Sequence, residues 1–376
     1  MKLLLPLLLA SILAAIPSAA PACAIADRDG EYAHITTEAA LIVWDESSKT
    51  EHFIRRASFE STAYDFGFLV PTPSKPDIEE SDDEVFTRLA DITKPKIEHR
   101  TRTASLGCSA FAMKSDAASE AGPRGDGVMV LQQKRVGDHD VVSIKFDPKA
   151  GTPEEGSRAL ADWLVRFGYG FGDKLKEWVA PYVKNDWVIT AFRIAGDPEA
   201  EPKRGATARG GRSPGGTHTL RAKPVRLTFK TEKPFYPYRE PADQRDAERS
   251  KARLLRVYFA STQRYAGTLG DNGFWPGVTV WADKLQDTEK ADVIAKAKLP
   301  ANAGPEKWYL TEFGDNSTPR PGTDEVYFAP SADQSPVAKP PIVVWQDSFT
   351  PWYIGLAVCL GLPAITFLAI VLLRKR

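Results

Sequence analysis

The chain has 376 residues, 43% of them hydrophobic, with 49 basic against 49 acidic residues. That length is enough for one large or two ordinary domains with a substantial core. Lys2, Arg374, Lys375 and Arg376 lie in the terminal segments and no acidic residue does, so the remainder carries a small net negative charge, which argues against nucleic acid as a partner.

Met1-Lys2 precedes an apolar stretch from Leu3 to Ile16 and then Ser18, Ala19, Ala20, Pro21 and Ala22, the pattern of a secretory signal peptide over residues 1–22. Cleavage is expected after Ala22 or Ala24. A lipid-anchor reading of Cys23 is disfavoured by Ala20, where Leu is usual, and by Pro21. Residues 23–195 read as an N-terminal α+β part. A first strand ends in Leu41-Ile42-Val43-Trp44, turns at residues 45–49 and returns from His52 to Phe59 as a hairpin. A third strand over residues 65–70 is expected to stop at Pro71. Ser81-Asp82-Asp83-Glu84 has capping-box spacing ahead of a helix with Val85, Leu89 and Ile92 on one stripe. An irregular stretch then runs through Cys108 to Gly122-Pro123.

Residues 128–136 and 141–146 flank Gly137-Asp138-His139-Asp140 as a hairpin with Val142, Ile144 and Phe146 on its buried face. Thr152-Pro153-Glu154-Glu155 starts a helix whose Leu160, Trp163, Leu164 and Phe167 share one face. Glycines 168, 170 and 172 end it, and Leu175, Trp178, Val179 and Tyr182 repeat the spacing. The two form a helical hairpin. Residues 187–194 read as a strand. Residues 196–223, rich in Gly, Arg, Pro and Thr, read as a loop or linker, and residues 224–330 as a β-rich C-terminal part. Residues 331–348, with Pro336, Pro340 and Pro341, read as a stalk. The apolar run over residues 352–373 is long enough for a single membrane-crossing helix, leaving Arg374-Lys375-Arg376 as a cytoplasmic tail.

The segments Ile42-Val43-Trp44-Asp45, Glu51-His52-Phe53-Ile54-Arg55-Arg56-Ala57 and Asp65-Phe66-Gly67-Phe68-Leu69-Val70-Pro71-Thr72-Pro73 resemble a bacterial family, domain of unknown function 2330. Lys230-Thr231-Glu232-Lys233-Pro234-Phe235-Tyr236-Pro237-Tyr238-Arg239-Glu240-Pro241 and residues 187–194 are similar to its later segments. The resemblance implies a secreted or membrane-anchored envelope protein and brings no activity, cofactor or catalytic residue with it. Members often open with Cys-Gly-Gly after the signal peptide, whereas here Cys23 is followed by Ala24-Ile25-Ala26, which puts any role tied to that opening in doubt.

Candidate chemistry is sparse. Cys108 is a candidate thiol nucleophile with His99 or His139 as base, or a disulfide partner for Cys23, or a buried free thiol; Cys359 lies in the apolar C-terminal run. Asp138-His139-Asp140 suggests a metal only if a further ligand arrives, and a polar hairpin tip explains it as well. The acidic run over residues 77–84 lacks the oxygen spacing and glycine of a calcium loop. Phe235, Tyr236 and Tyr238, stiffened by Pro237, form a candidate aromatic ligand surface together with Trp275, the alternative being packing against a sheet. No nucleotide-loop, metalloprotease or nucleophile-elbow motif stands in a usable context.

The expected fold is α+β, with mostly antiparallel sheets, a packed helical hairpin, two subdomains meeting near residue 200 and one C-terminal membrane helix. The expected function is that of a membrane-anchored extracytoplasmic protein, needing no cofactor, metal or catalytic residue, that binds or scaffolds an envelope protein or glycan. The alternatives are an extracytoplasmic hydrolase using Cys108 or a carboxylate pair, and a subunit of a membrane complex.

Overall fold

The computed structural model describes residues 25–26, 33–61, 67–103, 129–149, 151–166, 172–194, 218–245, 253–348 and 374. They fall into two compact units, one containing residues 25–92 and 129–337 and the other residues 93–103 and 338–348. The elements of the first half are β1 (Ile25–Ala26), β2 (Ala33–Asp45), β3 (Thr50–Ser61), β4 (Gly67–Thr72), β5 (Asp77–Glu80), α1 (Glu84–Ile92) and β6 (Ile97–Thr103). Then come β7 (Met129–Val136), β8 (His139–Lys145), α2 (Pro153–Arg166), α3 (Gly172–Lys184) and β9 (Val188–Ile194). The second half supplies β10 (His218–Arg221), β11 (Val225–Lys230), β12 (Phe235–Tyr236), β13 (Leu254–Ser261) and β14 (Tyr265–Leu269). It ends with β15 (Val278–Lys284), α4 (Asp287–Lys296), β16 (Tyr309–Asp315), β17 (Val326–Pro330) and β18 (Ile342–Ser348).

The first unit is α+β. Its large sheet runs β15-β16-β13-β2-β3-β11-β5, with β10 also on β3; a second sheet runs β1-β4-β9-β8-β7 and a third β12-β17-β14. The pairs are antiparallel except β13 beside β2. Strand alternation explains the layering. Along β2, Ala40, Ile42 and Trp44 face the core shared with Phe68 and Phe192 of the five-stranded sheet, while Ala39, Leu41 and Val43 face a core shared with Phe86 and Leu89 of α1 and Val293 of α4. The outer face of the five-stranded sheet, including Ile144 and Ile189, is covered by α2 and α3 through Leu160, Trp163, Leu164, Leu175, Trp178 and Val179. Helices thus close both outer faces of two stacked sheets.

Local signals hold where they are strong. Thr152 caps α2 as its spacing predicts: the Glu155 amide donates to Thr152 Oγ1 at 3.3 Å, and the Thr152 amide donates to Glu155 Oε2 at 2.7 Å. The β7–β8 hairpin turns more tightly than expected, on Gly137 and Asp138 alone, with Gly137 at φ 61, so His139 and Asp140 belong to the strand.

Other expectations are corrected. β4 continues through Pro71: among the described residues β1 pairs with Phe68 and Gly67, and beyond them β4 has β9 on one side, an edge position where a missing N–H is tolerated. Ser81 does not cap α1: Asp82 Oδ1 accepts the Glu84 amide at 3.0 Å, while the Ser81 hydroxyl donates to the Ala297 carbonyl just past α4. The region near residue 200 does not divide two subdomains, since β2, β3 and β5 interleave with β11, β13 and β16 in one sheet. The expected linker ends in a strand, β10. The last seven residues of the expected stalk form β18, which pairs in parallel with β6, itself expected to be irregular.

No helix among the described residues is long and apolar enough to cross a membrane. The signal-peptide segment, Cys23, Cys108, Gly168, Gly170 and the run over residues 352–373 lie outside the described residues.

Candidate functional site

The inward faces of the sheets carry charge as well as hydrocarbon. Glu38 on β2 shares the inward side of Ala40 and Ile42, and Glu51 and Arg55 on β3 share that of Phe53, Ala57 and Phe59. Glu38, Arg55 and Arg320 are each 3% exposed. Arg55 Nε donates to Glu38 Oε1 at 2.5 Å, and Arg320 stands 3.8 Å from both Glu38 Oε2 and Asp315 Oδ2. The Tyr238 hydroxyl donates to Asp315 Oδ2 at 2.7 Å, and Arg253 pairs with Glu240 beside them. Burial works to raise the Glu38 carboxyl, but Arg55 and Arg320 outweigh it and hold its pKa below the ordinary range. Burial wins at Glu240 despite Arg253 and Arg320, and that carboxyl is pushed up. This is a sealed, interlocked ion network rather than a solvent-facing acid–base pair.

A second carboxylate ties the helical layer to the loop after β12. Glu325 accepts from the Tyr182 hydroxyl of α3 and from the amides of Tyr238 at 2.6 Å and Arg239 at 3.1 Å, while Trp178 Nε1 donates to the Arg239 carbonyl at 3.0 Å. Glu51 has less support. Its Oε2 accepts the Phe235 amide at 2.9 Å and its Oε1 has no partner among the described residues. Burial pushes this carboxyl well above its ordinary pKa, against the lowering by the Phe235 amide. A carboxyl raised in the fold keeps a proton that the unfolded chain has lost, so its contribution weakens as pH rises above the unfolded value, by up to about 1.4 kcal/mol per unit. Glu51→Gln is therefore expected to gain stability relative to wild type as urea unfolding is repeated from pH 5 to pH 8. A constant gap across that range would show Glu51 ionised in the fold.

A cleft of about 260 Å³ lies in the first unit, where the β2–β3 turn, residues 232–234 and the β14–β17 ladder approach one another. Pro234 and the partly buried Tyr327 supply its apolar wall over the buried rings of Trp44 and Tyr265, each 2% exposed, and Glu46, Lys49, Glu232, Lys233 and Asp271 supply its charges. Lys49 Nζ stands 5.8 Å over the Trp44 ring and Lys233 Nζ 5.7 Å over Tyr327. The turn is rigid. Asp45 Oδ1 accepts the amides of Ser47 at 3.0 Å and Ser48 at 3.2 Å, and Lys230 Nζ donates to the Ser48 carbonyl at 2.6 Å. Against the opposing effect of burial, the hydroxyls and amides of Ser47 and Ser48 hold Asp45 at a pKa of about 2. Burial, with Glu325 and Asp324, pushes Tyr327 up to about 12, and burial with Glu46 raises Tyr265, so both phenols stay neutral and able to donate or accept.

Phe235, Tyr236, Tyr238 and Trp275 come together, but inside. Their exposures are 0%, 1%, 2% and 4%, and Trp275 packs on Phe313 and Phe328, so this aromatic set is part of the core and presents no ligand surface. His139 is also buried, edge-on to Phe68 and Phe192, with Nε2 3.0 Å from the Lys223 carbonyl and 3.3 Å from Asp138 Oδ1; burial lowers its pKa. Asp140 lies on the outward side of β8 from it. His99 is exposed on β6 in the other unit. Among the described residues no group of three His, Cys, Asp or Glu side chains is gathered as a metal set.

Sequence reasoning missed the cleft because its residues come from four separate segments. It also missed the ion network, though a signal existed: Glu51 and Arg55 alternate with Phe53, Ala57 and Phe59 on what the pattern marks as a buried face.

The model of a family described as "Uncharacterized protein conserved in bacteria (DUF2330)" matches residues 17–316. No curated protein matches the chain. Among solved structures, a mutated baculovirus P35 after caspase cleavage aligns over 82% of this chain and 99% of its own, at 9% identity and a TM-score of 0.28. So low a score carries no argument about fold or function.

Proposed function

The chain belongs to the family of uncharacterized bacterial proteins DUF2330, and on that premise we propose that it is an extracytoplasmic, membrane-anchored envelope protein that binds an envelope glycan through the cleft lined by Lys49, Lys233 and Tyr327. The anchoring part of this reading is supported by the apolar stretches at both ends of the sequence and by the basic tail. The cleft carries the binding part. It sets the partly buried ring and neutral phenol of Tyr327 beside two ammonium groups and three carboxylates around one concavity, a donor and acceptor set suited to a polyhydroxylated ligand. Ion pairing alone would give a poor glycan site. Here Lys49 and Lys233 lie against rings, and Lys233 also stands 3.4 Å from Asp271 Oδ1 at the exposed rim of the cleft.

The test is calorimetric titration of the detergent-solubilised full chain with soluble β-1,4-linked N-acetylglucosamine oligosaccharides. Tyr327→Ala and Lys49→Met are each expected to weaken binding about tenfold, the scale of a lost ring contact or charged hydrogen bond. A wild-type protein that binds none of these oligosaccharides, or variants that bind as wild type does, would sink the glycan reading.

A further inference from the structure

A second concavity in the first unit faces the helices rather than the turns. Across three neighbouring strands of the large sheet, Arg256 on β13, Ala39 on β2 and Arg56 on β3 stand in one row, since Arg256 pairs with Ala39 and Ala39 with Arg56. Two strand spacings separate the arginine backbones by about 10 Å, within reach of two long side chains leaning toward one guest. The row opens into a cleft of about 370 Å³, with Ala39 and Tyr258 on its sheet side and Phe86, Thr87 and Asp91 of α1 on its wall. Between the two arginine stems the floor is only the methyl group of Ala39. Any larger side chain there would occupy the space.

Both guanidinium groups are held from one side. Arg56 Nη1 stands 3.0 Å from Asp83 Oδ1 and its guanidinium 4.7 Å over the Phe86 ring, while Arg256 Nε stands 3.1 Å from the buried Glu312 Oε1. A guanidinium offers five N–H donors, so a single anchoring contact leaves others for a ligand. The side chains of Arg56 and Arg256 are 25% and 38% exposed, so the site is open to solvent without being a freely moving surface. Thr87 adds a hydroxyl. Asp91 is the acid on the cleft wall and opposes an anion there.

We propose that this cleft is a second binding site, independent of the aromatic cleft, for a phosphoryl group gripped between Arg56 and Arg256. A carboxylate would satisfy one guanidinium fork. A phosphoryl group presents oxygens to both at once, which suits two arginines that line one cleft on either side of a small floor residue. Its source in the envelope would be free phosphate, a phosphodiester polymer or a phospholipid headgroup, and these share the chemistry that the cleft reads.

The experiment titrates the detergent-solubilised full chain separately with inorganic phosphate, with a short glycerol-phosphate polymer and with phosphatidylglycerol in mixed micelles. Saturable binding of at least one is expected, and the arm that binds most tightly identifies the source. Arg56→Gln and Arg256→Gln are each expected to weaken that binding about tenfold, the scale of lost hydrogen bonds to a charged group. Ala39→Val should weaken it without changing any charge, and Asp91→Asn should strengthen it severalfold by removing the opposing carboxylate. Thermal unfolding reports whether each variant is folded. No binding in all three arms overturns the site, as does wild-type affinity in both arginine variants or weaker binding in a folded Asp91→Asn protein. Oligosaccharide binding should be unchanged throughout, which separates this site from the aromatic cleft.

Discussion

Replacing Arg320 by methionine is expected to lower the free energy of unfolding by about 3–5 kcal/mol, the usual effect of removing one partner from a buried ion pair. Arg320 stands between the carboxylates of Glu38 and Asp315, and its own pKa is raised by Glu240, Glu38 and Asp315 against the cost of burying it. Without it, Glu38 keeps Arg55 and its hydrogen bond with Tyr236, and Asp315 keeps the Tyr238 hydroxyl and its contacts with Ser317. The loss is therefore dominated by carboxylates left in a site they cannot leave. It should also depend on pH. Wild-type Glu38 has a depressed folded pKa, so its contribution is present above the unfolded carboxylate value and lost as pH falls through the folded one. In the variant that folded pKa rises, the carboxyl takes up its proton earlier, and the penalty relative to wild type shrinks from pH 7 toward pH 4. Urea unfolding at several pH values measures both effects. A loss below about 1 kcal/mol, smaller than the typical buried-pair effect, would mean that solvent reaches the network.

Trp275→Ala is expected to cost about 3–5 kcal/mol, the range for emptying a buried tryptophan site. The indole meets Phe313 at 5.4 Å, Phe328 at 5.9 Å and Tyr238 at 6.3 Å between ring centres. Two glycines cradle it: a Cβ on Gly267 would stand 2.5 Å from the indole, and one on Gly277 closer still. Such a fitted site collapses poorly when it is emptied. A binding residue on the surface would behave in the opposite way, losing ligand affinity with unfolding unchanged. An unfolding midpoint equal to wild type would return Trp275 to the surface and contradict its burial.

The helical hairpin over residues 153–184 was legible because both of its faces repeat every three to four residues and Thr152-Glu155 marks its start; Leu160, Trp163, Leu164, Leu175, Trp178, Val179 and Tyr182 are all buried. The β2–β3 hairpin was legible from a different signal, apolar β-branched and aromatic runs on either side of a polar turn. α4 was not. Only Val293 in it is fully buried, so it carries almost no apolar stripe, and its start rests on the Gln286 amide donating to Glu289 Oε2 at 3.0 Å. β6 was hidden because Ile97-Glu98-His99-Arg100 has few apolar positions, and its pairing partner β18 lies at the far end of the described chain.

By itself, then, the sequence determined the family, the α+β class, the local elements and the faces they bury, because periodicity, caps and turn residues act over a few positions. Only the tertiary structure decided that β13 inserts in parallel beside β2, that the 235–238 aromatics and Trp275 turn inward, and that Arg56, Ala39 and Arg256 form one row. Those outcomes depend on pairing between segments far apart in sequence. A local pattern can state which face of a strand is buried, but not which distant strand comes to lie against it.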